Sequence, residues 1–416
     1  MVTPAQARKR RTFAAIIAVV VVSGAFALSR DPRPAVTAAV ATAAEATPSL
    51  APAPSASSPG AFTSSRRMPP AWLAWISGSL PPGFARQAAT TPALGAVVIV
   101  AGDTRWMSAS HDADGTTVDR PEPPYRIPID AFAVDPDAYA PFLPEAYRER
   151  VRAALSDGRA VLGRSSARLR RLDVGGSLTF DGGTVQVGAV VPDDVAGWSE
   201  MLVSRAVGAA LGIVDDRYLL SMPPRPMIEP RFASIMASLI PGTNIRTVRP
   251  GGSSYMRIAS GVHPPIVIKG VFGEFAAYPR SDDPAYLNMS PDWYDTHIVS
   301  RSVPLLGRVT CNEAFLPALS GALAEVEASG LGGKIHTYSG CYAARTIARS
   351  ATAPPSYHAY GAAIDINAPE NPYGATPTMD RRIVAIFERW GFLWGGNYLT
   401  PDGMHFEYGG PPHAAN

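Results

Sequence analysis

The chain has 416 residues, which is long enough for two folded domains and a tail. Its formal net charge is +2 and 17% of its residues are charged, so it lacks the charge excess of a general polyanion binder. The body of the sequence contains no basic cluster with interleaved aromatic residues, and we therefore expect no nucleic-acid partner. The 37 glycines and 41 prolines predict many loops rather than a long helical bundle.

Residues 1–30 are predicted to be an export signal. The basic residues 8–11 precede an apolar run at 13–28, an order that is typical of secretory signals. The run is shorter than the roughly 20 residues that span a bilayer comfortably, and residues 25–27 fit an A-x-A cleavage site. An uncleaved signal anchor is the alternative. Either form predicts that the rest of the chain lies outside the cytoplasm.

Residues 31–66 consist mainly of Ala, Pro, Ser and Thr, with few large apolar side chains. Such a segment cannot bury enough surface to offset its chain entropy, and we predict a disordered, partly extended tether. A tether of this kind would hold a folded body away from the membrane or within the cell wall.

The first folded region is predicted at residues 67–260, as a separate mixed α/β domain of unknown fold and role. Residues 97–100 have the apolar, β-branched character of a short buried strand. Residues 177–180 and 184–187 predict a hairpin with glycine in the turn. Apolar residues recur at helical spacing over 198–211 and predict a helix.

The second folded region, residues 261–416, is predicted to be α+β, with a mostly antiparallel sheet and flanking helices. Its irregular alternation of helical and strand-like segments favours this class over a parallel sheet. The predicted elements are strands over 266–275, 334–338 and 404–408 and helices over 315–326 and 383–390.

Cys311 and Cys341 are the two cysteines of the chain. In an oxidising compartment outside the cytoplasm they are expected to form a disulfide. Closing a loop of this length would stabilise the fold by roughly 3–4 kcal/mol on a chain-entropy argument. Two independent buried thiols are the alternative, and zinc ligation by the pair is disfavoured because the spacing is not of the CxxC type.

The segment SYHAYGAAIDIN, residues 356–367, places a histidine and a carboxylate in a run of small and apolar residues. Successive side chains alternate between the two faces of a strand. Ile364 and Ile366 would therefore face a core, while Asp365 faces the other way. His358 precedes the strand, so its ring and the carboxylate can converge on one point.

A second segment, PDGMHFEY at residues 401–408, would complete a metal site. His405 and Glu407 share one face of the predicted last strand. With His358 and Asp365, His405 makes three ligands and leaves a fourth position for water, which is the form of catalytic zinc sites. Asp402 is the predicted general base, and Glu407 is its rival or a residue that orients a ligand.

The pattern SxHxxGxAxD at 356–365, followed by DxxH at 402–405, resembles the zinc peptidases that act on peptidoglycan D-Ala-D-Ala. That family includes the vancomycin-resistance D,D-carboxypeptidases and D,D-dipeptidases and the phage L-alanyl-D-glutamate endolysins. The resemblance covers roughly residues 270–407. It implies the Hedgehog/DD-peptidase fold, Zn2+ as cofactor and a peptidoglycan stem peptide as partner.

The resemblance implies a role for each motif residue. His358, Asp365 and His405 would be the zinc ligands, and Asp402 would be the catalytic carboxylate. Several members have Glu at that last position, whereas the endolysin-like branch more often has Asp. Carboxypeptidase and endopeptidase activity therefore both stay open.

The family also has an arginine upstream of the zinc motif, where it binds the substrate and the developing oxyanion. Arg345 is the predicted residue, with Arg349 as the alternative. Ser356 is expected to support the ligand loop, because no base is placed to make it a nucleophile. Tyr360 and Trp394 are expected either to line the substrate cleft or to pack in the core.

These features predict an extracytoplasmic zinc metallopeptidase that trims stem peptides, with D-Ala-D-Ala carboxypeptidase as the first choice. The alternatives are an L-alanyl-D-glutamate or cross-bridge endopeptidase and a non-catalytic, zinc-holding wall-binding protein. The expected partners are the stem peptide and the cell wall or membrane that holds the tether.

Overall fold

A computed structural model describes residues 69–76, 78–248, 256 and 263–411, all within one compact unit. The predicted export signal, the tether and the boundary between the two folded regions lie outside these residues. Within the described ranges, no helix is both long enough and apolar enough to cross a membrane.

Helices and strands are interspersed along the described chain, which confirms the mixed helix and strand content expected of an α+β protein. The strands are β1 (Trp72–Ile76), β2 (Ala96–His111), β3 (Thr117–Asp119), β4 (Ile127–Val134), β5 (Ala160–Gly163), β6 (Ser177–Phe180), β7 (Gly183–Val191), β8 (Met201–Ser204), β9 (Asp216–Met222), β10 (Ile245–Val248), β11 (Ala277–Pro279), β12 (Leu287–Met289), β13 (Ile298–Val303), β14 (Gly307–Asn312), β15 (Tyr338–Gly340), β16 (Ala363–Ile366), β17 (Phe392–Trp394) and β18 (His405–Tyr408). The helices are α1 (Phe84–Ala89), α2 (Pro136–Tyr139), α3 (Glu145–Ser156), α4 (Arg164–Leu169), α5 (Arg205–Ala210), α6 (Glu229–Leu239), α7 (Pro265–Phe272), α8 (Pro291–His297), α9 (Leu316–Ala328) and α10 (Arg381–Arg389).

The first region is built on one large sheet that closes on itself. Strands β2, β4, β8, β5, β7 and β6 pair in that order, and β6 pairs back onto β2 to complete a six-stranded barrel. The pairs β4–β8 and β5–β7 are parallel, and the other pairs of the ring are antiparallel. The long strand β2 pairs with four strands along its length, because it also pairs with β9 through its first residues and with β3 through its last.

Alternating side chains give the barrel wall two apolar faces. Ile129 and Ala131 of β4 belong to one buried cluster together with residues of the other barrel strands. Phe132 of β4 belongs to a second cluster, in which it packs with Val151 and Leu155 of α3. This period of two is the expected pattern of a strand that is buried on both sides.

The structure corrects the helix predicted over residues 198–211. Residues 201–204 form strand β8, and the helix is limited to α5 at 205–210. All four residues of β8 are buried between β4 and β5. The periodicity of such a short apolar run is compatible with a helix and with a strand. Its pairing with β4 and β5 makes it a strand. The predicted strand at 97–100 lies inside the longer β2, and the predicted hairpin forms as β6 and β7.

The second region contains a four-stranded antiparallel sheet in the order β15-β16-β18-β17. Helices α9 and α10 contribute to the same buried cluster as the apolar residues of this sheet. Ile364 of β16, Phe406 of β18 and Phe387 of α10 are members of that cluster and fully buried. The sheet therefore has one face against the helices and leaves the opposite face for polar side chains.

Two strand predictions in this region are wrong: one segment forms a helix, and the other strand begins later than predicted. Residues 266–275 were expected to be extended, but α7 covers 265–272, with proline in its first turn and Gly273 after it. Ile268 and Phe272, one helical turn apart, are both buried in the core, so packing overrides the β-branched composition. The strand expected at 334–338 begins only at Tyr338, as β15.

A ring of buried charges joins the two regions, and we call it the ion cluster: Arg170, Glu200, Lys269 and Glu274. Arg170 lies 2.6 Å from Glu200 and 2.5 Å from Glu274, measured from its Nη2. Lys269 Nζ lies 2.8 Å from Glu200 and 2.7 Å from Glu274. Each cation thus contacts both carboxylates.

The predicted disulfide between Cys311 and Cys341 is present. It joins the end region of β14 to the segment after β15, and both residues are buried in the core of the second region. The bond therefore ties two segments that lie next to the predicted zinc-binding residues.

Candidate metal centre

The register of the small sheet brings two predicted ligands together. Asp365 of β16 lies directly opposite His405 of β18 in the antiparallel pair. Their side chains meet on the polar face, where Nδ1 of His405 is 3.0 Å from Oδ1 of Asp365. Side chains that lie directly opposite each other in an antiparallel pair are close enough to interact.

The third predicted ligand, His358, comes from the short 3-10 helix Tyr357–Tyr360 that precedes β16. Ser356 caps this turn, because its Oγ accepts a hydrogen bond from the His358 amide at 3.3 Å. Gly361 follows with φ of 64°, and a Cβ atom there would lie 2.4 Å from the amide nitrogen of Asn312. The turn brings Nε2 of His358 to 3.2 Å from Oδ2 of Asp365.

A hydrogen bond behind each histidine fixes which ring nitrogen faces the site. Nδ1 of His358 donates to the carbonyl oxygen of Cys341 at 2.7 Å, which leaves the lone pair on Nε2 for the site. Nε2 of His405 donates to Oε2 of Glu407 at 3.0 Å, which leaves Nδ1 facing Asp365. Such partners are the usual way in which proteins orient metal-binding imidazoles.

The arrangement fits a metal ion by its geometry and by its unsatisfied atoms. One ligand atom each from His358, Asp365 and His405 can be chosen so that all three lie within 4.8 Å of one another. Among the described residues, Nε2 of His358 and Oδ1 of Asp402 are buried without a hydrogen-bond partner. Each such atom costs roughly 1–3 kcal/mol when left unsatisfied, and a cation among these two histidines and carboxylates would relieve that cost. A donor set of this type suits zinc.

The protonation states show that negative charge dominates the centre. Burial opposes ionisation of Asp365, but the neighbouring imidazoles of His358 and His405 hold its pKa well below the usual range. Burial also opposes protonation of His405, yet Asp365 and Glu407 raise its pKa to about 10. The proton on His405 therefore balances negative charge on Asp365 and Glu407. A bound metal cation would balance the same charge.

Asp402 lies in the loop between β17 and β18. Its amide donates to the carbonyl oxygen of Gly395 at 2.9 Å, and its own carbonyl accepts from the amide of His405 at 3.1 Å. Gly395 is required for this packing, since a Cβ atom there would lie 2.7 Å from the carbonyl oxygen of Asp402. Burial raises the pKa of the Asp402 carboxyl, and the nearby charge of Asp365 adds to that rise. A carboxyl with a raised pKa is suited to accept and return a proton.

The structure separates the two candidate arginines. Arg345 is half-buried; burial lowers its pKa, while the charges of Asp365 and Asp402 favour its protonated form. Its guanidinium is thus electrostatically coupled to the carboxylates of the centre. Arg349 is exposed and sits in a left-handed backbone conformation with φ of 52°. The charge of Arg349 also lowers the pKa of Arg345, so the two arginines are near each other, and Arg345 as the substrate arginine stays a prediction.

Trp394 and Tyr360 occupy different environments. Trp394 is buried, and its Nε1 donates to the carbonyl oxygen of Gly403 at 2.9 Å, so it supports the loop between Asp402 and His405. Tyr360 packs in the core with its ring centroid 4.6 Å from that of Phe275. Of the two environments expected for Tyr360, the structure shows core packing.

Two contributors to the centre are absent from the sequence-based assignment. The carbonyl of Cys341 orients His358, although Cys341 was considered only as a disulfide partner. Tyr398 has its ring centroid 6.3 Å from that of His405, and its pKa is raised well above the usual value by burial and then by the charge of Glu407. In the sequence, Tyr398 could have been identified from its position in the loop that leads to β18, the strand that contains His405.

Comparison with known families points to the same segment. Residues 349–408 match the family described as D-alanyl-D-alanine carboxypeptidase. The match begins at Arg349 and contains all three ligand candidates, Asp402 and Glu407, whereas Arg345 lies four residues before it. This part of the second region is therefore peptidase-like.

A search of curated proteins finds no match to the chain. Among solved structures, the chain is similar to the periplasmic region of MacB from Actinobacillus actinomycetemcomitans, with 8% identity, coverage of 45% of this chain and 90% of that chain, and a TM-score of 0.31. It is also similar to the extracellular domain of the noncanonic ABC-type transporter YknZ from Gram-positive bacteria, with 13% identity, coverage of 44% and 100%, and a TM-score of 0.28.

Proposed function

We propose that this protein is an extracytoplasmic zinc metallopeptidase that trims peptidoglycan stem peptides as a D-alanyl-D-alanine carboxypeptidase. The convergence of His358, Asp365 and His405 near a half-buried Asp402 is the observation that carries the proposal. The family match over residues 349–408 supports the reaction class. The export signal expected at residues 1–30 supports the location outside the cytoplasm.

His358, Asp365 and His405 would hold the zinc ion, each through the atom that its supporting hydrogen bond leaves facing the centre. When bound, zinc supplies Lewis acidity, which polarises a substrate carbonyl and lowers the pKa of water to about 7. Glu407 keeps His405 oriented by accepting from its Nε2.

Asp402 would take the proton from the attacking water and return it to the amine that leaves. Its half-buried carboxyl with a raised pKa suits both halves of that transfer. Arg345 would bind the terminal carboxylate of the substrate or the oxyanion that develops on the scissile carbonyl. Its electrostatic coupling to Asp365 and Asp402 supports this role.

The test combines metal analysis with product analysis. Purified protein is expected to carry one zinc ion and to remove a single D-Ala from pentapeptide muropeptides, as read by mass spectrometry. His405→Ala is expected to lose both properties. His336→Ala is the matched control, because this histidine is exposed and pairs with Glu370 away from the centre. Cleavage by His405→Ala at the wild-type rate would refute the zinc mechanism.

An endopeptidase of the same chemistry is the second candidate, and Asp rather than Glu at position 402 favours it through the endolysin-like branch. The same mass spectra separate the two activities, because an endopeptidase releases larger fragments than one D-Ala. Stoichiometric zinc without turnover on any muropeptide would indicate a non-catalytic, wall-binding protein.

A further inference from the structure

Side chains of the first region reach the loop between β17 and β18, which carries Asp402. Nη2 of Arg246 donates to the carbonyl oxygen of Asn397 at 3.0 Å. Nδ2 of Asn244 makes a longer contact, of 3.5 Å, with the carbonyl oxygen of Leu399. Arg246 lies on β10, and Asn244 directly precedes that strand. These two contacts join the sheet of the first region to the loop that holds the predicted base.

The backbone of the loop connects its tip to Asp402. Tyr398 lies between the two residues whose carbonyls are contacted. Its amide and the amide of Asp402 both donate to the carbonyl oxygen of Gly395, at 3.0 and 2.9 Å. The carbonyl oxygen of Asp402 accepts from the amide of His405. The segment is therefore closed at its base, and a shift of its tip moves the backbone from which the Asp402 carboxyl extends.

The first region provides a fixed base for these contacts. Strand β10 pairs with β1 along its whole length, and β1 pairs with β9 inside the large sheet. A strand in a ladder of main-chain hydrogen bonds opens less readily than a loop. A guanidinium donor also makes a stronger hydrogen bond than a neutral donor. Arg246 can therefore hold the loop from a strand whose position is set by the sheet.

The strand next to β10 meets the other loop beside the metal centre. Trp75 of β1 lies directly opposite Arg246 in the antiparallel pair. It borders a cavity of about 400 Å³ together with Ile347 and Pro354, which lie between the predicted substrate arginine and the first zinc ligand in the sequence. The amide of Ile347 donates to the carbonyl oxygen of Pro354 at 2.9 Å, which closes that second loop. Two paired residues of the first region thus face the two loops that flank the centre.

We propose that the first region is a platform for the peptidase site and that Arg246 is a positioning residue for Asp402. This role rests on the proposed function, in which Asp402 is the base. A general base acts only when its carboxyl lies within hydrogen-bond reach of the proton it takes. A displacement of about 1 Å can therefore lower the rate greatly. Loss of the Arg246 contact should affect the rate of the reaction rather than the binding of metal or substrate.

Hydrogen–deuterium exchange of the full chain with zinc added measures the hold on the loop without any need for turnover. In Arg246→Ala, the peptide that covers residues 395–404 should exchange about tenfold faster than in the wild type. Peptides from β2 and β4 should exchange at the wild-type rate, which shows an intact fold. Arg246→Lys keeps a charged donor and should restore part of the protection. Arg231→Ala, at an exposed arginine of α6 in the same region, is the matched control and should leave the loop unchanged.

Steady-state kinetics on pentapeptide muropeptides test the role of the contact in catalysis. In Arg246→Ala, kcat and kcat/KM should both fall about tenfold while KM stays within about twofold, because the contact acts through the base. Arg246→Lys should recover part of kcat, and zinc affinity should stay at the wild-type level in both variants. Asn244→Ala, which removes the longer contact, should show the same changes at a smaller size.

Unchanged exchange of residues 395–404 in Arg246→Ala would overturn the proposal, and so would faster exchange at the wild-type kcat. A raised KM at unchanged kcat would overturn it as well, because Arg246 would then bind substrate. If the wild-type protein cleaves no muropeptide, the proposed function fails instead. The exchange comparison then decides by itself whether Arg246 holds the loop.

Discussion

The ion cluster and the metal centre are both groups of buried charges, but they differ in the balance between positive and negative groups. In the ion cluster, Arg170 and Lys269 face two carboxylates, and every cation contacts both of them. In the metal centre, three carboxylates surround two histidines, with Arg345 as the permanent cation coupled to them. Within the described part of the chain, buried atoms without a hydrogen-bond partner occur in both groups: Nε of Arg170 in the ion cluster, and Nε2 of His358, Oδ1 of Asp402 and Oε1 of Glu407 in the metal centre.

This difference in balance indicates a difference in role. A balanced ring satisfies its own charges, so it can be buried and fasten two regions without a further partner. An acid-rich site is unsatisfied until a cation arrives, which is the condition for binding a metal and for tuning the pKa of a base. Changes in the first cluster should therefore affect folding, and changes in the second should affect metal binding and catalysis.

The largest effect is expected for Asp402→Asn. Loss of general acid–base catalysis should reduce kcat/KM on pentapeptide muropeptides by about 100- to 10,000-fold. Zinc content should stay at the wild-type level, because Asp402 is not among the ligand candidates. Asp137→Asn, an exposed carboxylate of the first region, serves as the control. Wild-type activity in Asp402→Asn would remove Asp402 from the mechanism.

Glu200→Gln should destabilise the fold by about 3–5 kcal/mol, because it leaves two buried cations with a single carboxylate, Glu274. Burial opposes its charge, but Lys269 and Arg170 lower the pKa of Glu200 below the usual value. A lowered folded-state pKa gives stability that is present above the unfolded pKa of about 4.3 and lost as pH falls through the folded pKa.

Urea unfolding between pH 3 and 7 measures both effects of Glu200→Gln, the loss of stability and a flatter dependence on acid pH. The matched control is Glu149→Gln, which breaks an exposed pair with Arg152 and should change stability far less. Equal effects of the two substitutions would contradict the fastening role of the ion cluster.

Removal of the disulfide by Cys311→Ala with Cys341→Ala should cost about 3–4 kcal/mol on a chain-entropy argument. Zinc affinity should fall as well, because the Cys341 carbonyl orients His358. Unfolding curves with and without reductant measure the first effect, and competition with a chromophoric chelator measures the second. Unchanged zinc affinity in the folded variant would show that other contacts suffice to hold that carbonyl.

The smallest of these effects is expected for Glu407→Gln. Loss of the carboxylate behind His405 should weaken zinc binding by about 10- to 100-fold, as is typical for partners of metal-bound histidines. Chelator competition gives the affinity, and activity at saturating zinc should recover substantially. Activity that stays abolished at saturating zinc would instead make Glu407 the base, in place of Asp402.

The sequence pattern predicted the structure best where the candidate ligands lie on strands whose side chains alternate between two faces. Alternation along residues 363–366 and 405–408 predicted which side chains share a face, and the structure places Ile364 and Phe406 in the core and Asp365 and His405 on the opposite side. Patterning failed at 201–204 and 265–272, where short apolar runs fit both helix and strand. There the neighbouring strands and the core selected the element.

By itself, the sequence determined the set of ligand candidates, the disulfide pair and the α+β class, because each depends on residue type, spacing and local alternation. Only the tertiary structure decided that Tyr360 packs in the core and that the first region closes into a barrel fastened by the ion cluster. Lys269 meets Glu200 across 69 residues of chain, and His405 meets Asp365 across 40. Contacts of that range are set by strand register and by packing between elements, and no local pattern encodes them.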